Sequence, residues 1–167
     1  MEISKGDFRV NTQQIRLGIS SSLEHIALVS KAISHLVADA GVEAGQVARL
    51  ELAVVEVVTN CIEHSYGFKT DQRVDVDLEI TDLQVRVAVS DYGIPMPADT
   101  AARFSSGRSE IPDPGNCIDD LPESGWGINL VSNLCDELDY SNADSCNTII
   151  MICNRGAPDE VVLSEAV

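Results

Sequence analysis

Between residues 73 and 90 the chain alternates almost strictly between apolar and polar positions, reading RVDVDLEI and, two residues later, LQVRVAVS. Val74, Val76, Leu78 and Ile80, then Leu83, Val85, Val87 and Val89, share one face, with mostly polar residues on the other. A period of two is that of a strand whose two faces meet different surroundings, so the segment predicts a half-buried antiparallel hairpin turning near Thr81 and Asp82. Elsewhere the period lengthens. In SSSLEHIALVSKAISHLVADAG, Leu23, Ile26, Ala27, Ile33, Leu36 and Val37 recur at helical spacing between a serine cap and Gly41. A second helix is expected over about 43 to 65 and a third through GWGINLVSNLCDEL, with strands at 11–19, 136–141 and 148–153.

The pattern stops over residues 94 to 124, which hold five of the six prolines and show neither period. So long an irregular stretch inside a compact domain points to a functional lid or an insert. No internal repeat and no second core is visible. Residues 1 to 156 read as one domain with a lid at about 94 to 124, followed by a frayed tail at 157 to 167. Helices covering one face of a mixed, mainly antiparallel sheet make an α+β two-layer sandwich.

Composition narrows the partners. Among 167 residues, 11 are basic and 27 acidic, a formal charge of −16, which argues against nucleic acid or an anionic membrane as partner. Residues 109 to 167 oppose Arg155 to twelve acids, a bias that serves solubility or a basic partner surface. The first residues, MEISKGDFRV, lack a signal-like pattern, and no apolar run approaches the roughly 18 residues that cross a bilayer, so a cytoplasmic location is expected. Cys61, Cys117, Cys135, Cys146 and Cys153 are odd in number and irregularly spaced, and read as reduced, mostly buried thiols.

Three short stretches could carry chemistry. In ELAVVEVVTNCIEHSYGF, Val54, Val57, Val58, Cys61 and Ile62 share a broad apolar arc of the second helix, while Glu56, Asn60 and Glu63 fall opposite. Such a stripe is commonly the wet side of a helix. If it borders a cavity instead, the amide oxygen suits a hard cation such as Mg²⁺ and the carboxylate one turn earlier can orient or deprotonate a nucleophile. In SDYGIP, at a strand end, Asp91 and Gly93 form either a turn or a carboxylate that accepts from an exocyclic amine such as that of adenine, with glycine admitting a flat ring. In SGWGINL, two glycines open a helix whose free N–H groups could meet phosphate. Neither a Walker loop nor a dinucleotide fingerprint occurs.

In this order and on these elements, the three stretches resemble the nucleotide-binding (Bergerat) domain shared by gyrase, the chaperone of the 90-kilodalton heat-shock type, histidine kinases and mismatch-repair ATPases. Within that group, EVVTNCIEHSY is similar to the first box of the small bacterial anti-sigma factor serine kinases, and the likeness extends over most of residues 15 to 153. The resemblance implies ATP and Mg²⁺ as cofactors, with Glu56 as catalytic base toward a serine hydroxyl and Asn60 as the Mg²⁺ ligand. It further implies that Asp91 reads adenine beside Gly93, that Gly125 and Gly127 meet phosphate, and that Thr148 sits near the adenine side of the pocket. It implies as partners an anti-sigma factor antagonist of the STAS type and a sigma factor, and a homodimer. Departures are Trp126 between the two glycines, Asn147 where glycine is common, and the acids Asp119, Asp120 and Glu123 late in the lid. Arg103 and Arg108 are the only lid cations. His64 is an orienting residue at most. Two other functions compete: a nucleotide-binding partner-switching module without kinase turnover, and a catalytic domain detached from a histidine kinase.

Overall fold

The computed structural model describes residues 12 to 105 and 126 to 155. Strands β1 (Gln13–Ser20), β2 (Arg73–Ile80), β3 (Gln84–Asp91), β4 (Glu137–Ala143) and β5 (Cys146–Asn154) form one sheet in the order β1-β2-β3-β5-β4. Every pairing is antiparallel, so among the described strands the expected sheet lacks its parallel component. Helices α1 (Ile26–Asp39), α2 (Ala44–Asn60) and α4 (Trp126–Leu134) cover one face, with α2 between α1 and α4. The outcome is the α+β two-layer sandwich that the patterning predicts.

The hairpin buries Val74, Val76, Leu78, Ile80, Val85, Val87 and Val89 against the helices. Leu83 does not join them and is 70% exposed, because the turn is built around Thr81. The Thr81 hydroxyl accepts from the Leu83 and Gln84 amides, at 3.3 and 3.1 Å, and β3 starts only at Gln84. The outward face carries a polar ladder in which Arg16 pairs with Asp77 and Gln14 donates to Glu79. The Arg155 guanidinium ties the hairpin turn to the end of α1, donating to the carbonyls of Thr81 (2.8 Å) and Ala40 (2.7 Å).

A 3₁₀ turn at Leu23–His25 precedes α1. Of the expected stripe, Ile33 and Val37 are buried and Ile26 and Leu36 pack against the core, joined by Val29, while Leu23 and Ala27 are exposed. Gly41, with φ of 79°, ends the helix in the left-handed conformation that glycine adopts without strain. Helix α2 buries Leu50, Ala53, Val54, Val57 and Val58, each fully buried valine contributing about 1.5 to 3 kcal/mol. Its first turn is capped by the Glu43 carboxylate, which accepts from the Gln46 amide at 3.1 Å. The Gly45 and Gln46 amides hold that carboxyl below its ordinary value.

Two expectations are corrected. The stretch taken as irregular contains a helix, α3 (Ala98–Ser105), whose start follows Pro95 and Pro97 and whose Ala98, Ala101 and Ala102 favour helix despite the short span. Helix α4 stops at Leu134 instead of running through residue 138. Asp136 is claimed by the sheet, its amide donating to the Ile152 carbonyl at 2.9 Å and its carboxylate accepting from the Asn154 amide at 2.7 Å. Cys61, Cys135 and Cys153 are buried and Cys146 half-buried. Cys117, Arg108, Gly125, the expected lid from residue 106 onward and the expected tail lie outside the described residues.

Candidate functional site

Glu56 and Asn60 lie one turn apart on α2, beside the arc that packs on the sheet, and both are half-buried. Among the described residues neither side chain has a hydrogen-bonding or ion-pair partner. Neither side chain has a polar atom that is both buried and unpartnered, so these oxygens are open to water or to a ligand. Immediately after Asn60 the helix widens into a π-helical turn, Cys61–Ser65, in which the Tyr66 amide donates to the Cys61 carbonyl at 3.1 Å. Single π turns inside helices are frequent at functional sites.

The π turn turns the Ser65 carbonyl and hydroxyl toward the end of β3. The carbonyl accepts from the Ile94 amide at 2.9 Å and the hydroxyl donates to Oδ2 of Asp91 at 3.2 Å. Gly93 lies so near the turn that an added Cβ would stand 2.3 Å from the Ser65 carbonyl oxygen. The glycine expected to admit a flat ring is thus already required by packing inside the chain. Asp91 is only 3% exposed. Besides Ser65 it accepts from the Gly93 amide at 2.9 Å and from Nδ2 of Asn147 at 2.8 Å, both on Oδ1. Next to it lies Cys61, whose thiol is pushed up by burial and by the Asp91 charge and so remains protonated.

Thr148 is displaced from its expected place. In the β3–β5 register Asp91 pairs with Asn147 and Ser90 with Thr148, and strand alternation sends the two pairs to opposite faces. The Thr148 hydroxyl lies 3.1 Å from that of Ser90 on the outward face, away from the helices. Asn147, buried at 3% exposure, occupies the inward position beside Asp91. Asn147 and Ser65 are what sequence reasoning missed as site residues. Strand parity could have found Asn147, which stands two residues before buried Ile149.

Gly127 lies in the first turn of α4, where backbone N–H groups have no partner within the helix. Gly125 lies outside the described residues, and Arg103 falls in α3. A groove of about 450 Å³ opens beside the π turn, lined among others by His64, Ser65, Lys69, Gln72, Tyr92 and Ile94. Glu56, Asn60 and Asp91 do not line it. Among the described residues no cluster of three His, Cys, Asp or Glu side chains could hold a metal by itself, and no helix is long and apolar enough to cross a membrane.

Residues 19 to 153 match the model of the histidine kinase-like ATPase domain. RsbW serine-protein kinases from strains of Staphylococcus aureus are 28% identical over 138 residues, covering 81% of this chain and 79% of theirs. Among solved structures, the RsbU and RsbW domains of a Mycobacterium tuberculosis protein align with a TM-score of 0.58 at 18% identity over 87% of this chain, which spans only 34% of that structure. The SiaB–SiaC complex from Pseudomonas aeruginosa aligns with a TM-score of 0.58 at 12% identity, covering 86% of this chain and 89% of that one. With the fold and the order of its polar motifs, the match over 19 to 153 means that the chain belongs to the histidine kinase-like ATPase family.

Proposed function

We propose that the protein binds ATP and transfers its terminal phosphoryl group to a serine of an anti-sigma factor antagonist, as one arm of a partner-switching pathway that also engages a sigma factor. The observation that carries this reading is the pair Glu56 and Asn60, half-buried on one face of α2 and without a partner among the described residues. It is supported by the family match and by the similarity to RsbW serine-protein kinases.

The donor set fits a magnesium ion. The cation takes hard oxygen ligands, keeps several waters, shares phosphate oxygens and so needs few groups from the protein. The Asn60 amide oxygen would hold the ion, which would supply neutralisation of the phosphate charge. Asp91 accepts the exocyclic amine of adenine. The first amides of α4, with that of Gly127 among them, receive phosphate oxygens. Glu56 takes the proton of the incoming serine hydroxyl. Such transfers depend mainly on positioning and fixed charge, and those are what these residues contribute.

The test is incubation with ATP labelled at the terminal phosphate and candidate antagonist proteins from the same cell. Acid-stable label on a partner serine, lost with Glu56→Ala, is the expected result. Undiminished labelling by that variant removes Glu56 as base. ATP binding without any labelled partner would favour a switching module that moves no phosphate, and acid-labile label would favour a histidine kinase fragment.

A further inference from the structure

Asn147 is the most heavily bonded side chain near the candidate site. Its Nδ2 donates to Oδ1 of Asp91 at 2.8 Å and reaches the Gly93 and Ile94 carbonyls, each at 3.4 Å. Its Oδ1 accepts from the Tyr140 hydroxyl at 3.0 Å and from Nδ2 of Asn142 at 2.7 Å. The same Tyr140 hydroxyl accepts from the Met96 amide at 3.0 Å. Carboxylate, strand end and the residues after it are thereby joined through one buried amide, whose donors and acceptors are fixed from both sides so that it cannot flip without losing bonds.

The consequence lies on Asp91. A carboxylate offers about four lone-pair directions. Gly93 and Asn147 fill both on Oδ1 and Ser65 fills one on Oδ2, leaving a single direction on Oδ2 with only the weak Cys61 thiol donor nearby. We propose that Asn147 is a positioning residue for base selection: by clamping Oδ1 it fixes the carboxylate plane and presents one acceptor, which suits a 6-amino purine and rejects a 6-oxo purine. This rests on the nucleotide reading given above. An amine meeting that acceptor gains a charge-assisted bond, whereas a ring carbonyl meets it oxygen to oxygen. Without the clamp the carboxylate can turn about its own bond, and the discrimination relaxes.

The experiment measures the affinities of ATP and inosine triphosphate, each with magnesium, for the full chain and for Asn147→Ala and Asn147→Thr. Their ratio does not depend on the fraction of protein that is folded. The unsubstituted protein is expected to favour ATP by at least about 100-fold, as sites built around a substrate amine do. In Asn147→Ala the ratio falls by about tenfold or more, while Asn147→Thr, which keeps a short donor and suits a strand, recovers much of it. An unchanged ratio in Asn147→Ala, or equal loss in both variants, overturns the proposal and leaves ATP binding standing. Failure of the unsubstituted protein to bind either nucleotide overturns the nucleotide reading and this inference with it.

Discussion

Glu56 and Asn60 on α2 and Asp91 and Asn147 on β3 and β5 are two acid-amide pairs treated in opposite ways. The first pair is half-buried and has no partner among the described residues; the second is almost wholly buried, and the Asp91 carboxylate alone accepts three hydrogen bonds. Polar groups taken out of water cost free energy until they are bonded. The sheet pair has met that requirement inside the chain, and its substitution should be felt as lost stability. The helix pair keeps its polar atoms open to solvent and needs no such partners, so its substitution should leave the fold alone and remove whatever those oxygens serve.

The strongest way to break this comparison is Glu56→Gln, which keeps shape and removes charge. Phosphorylation of the antagonist should fall by about 10² to 10⁴-fold, the usual worth of a general base. The melting temperature should not move, and a fall of several degrees would mean that Glu56 is structural. Next in size is Asp91→Ala. It strands the Ser65 hydroxyl, the Gly93 amide and the Asn147 amide in a dry site, at a cost of about 3 kcal/mol measured by denaturant unfolding. Stability within about 0.5 kcal/mol of the unsubstituted protein would show that these bonds matter little.

Gly93→Ala tests the join between the pairs. Its Cβ would meet the Ser65 carbonyl at 2.3 Å, so the π turn or the strand end must give way, with an expected loss of about 1 to 3 kcal/mol. A neutral outcome would show that the close approach relaxes freely. The smallest effect is a control far from either pair. The Gly45 and Gln46 amides lower the folded-state value of the Glu43 carboxyl. Its stabilisation is therefore complete above the ordinary glutamate value of about 4.3 and lost as pH falls through the lower folded value. The melting-temperature difference between the protein and Glu43→Gln should accordingly hold steady down to about pH 5 and shrink below it. A constant difference would deny the cap its charge.

Much of the architecture was legible because one physical signal dominated locally. Strict alternation placed seven of the eight named hairpin residues in the core and failed only at Leu83, where turn chemistry overrides period. In α1 helical spacing found Ile26, Ile33, Leu36 and Val37 and failed at Leu23, which belongs to a 3₁₀ turn ahead of the helix, and at Ala27. Helix α3 was hidden among prolines that read as breakers but stand ahead of its first turn. At the site, the stripe of Glu56 and Asn60 was visible from helical spacing, but its lack of partners was not, since that depends on what other elements bring near. Thr148 was placed by resemblance, whereas the β3–β5 register turns it outward and puts Asn147 beside Asp91. Side-chain parity is fixed only once a strand's register is known.

Nucleotide binding rests most directly on Asn60. Titrating magnesium-ATP calorimetrically into the protein and into Asn60→Ala, with melting temperatures recorded for both, tests this directly. Saturable one-site heat is expected for the protein, with affinity at least about tenfold weaker in Asn60→Ala, or about 1.4 kcal/mol, at an unchanged melting temperature. Equal affinity for the two proteins, or no binding by either, would contradict it.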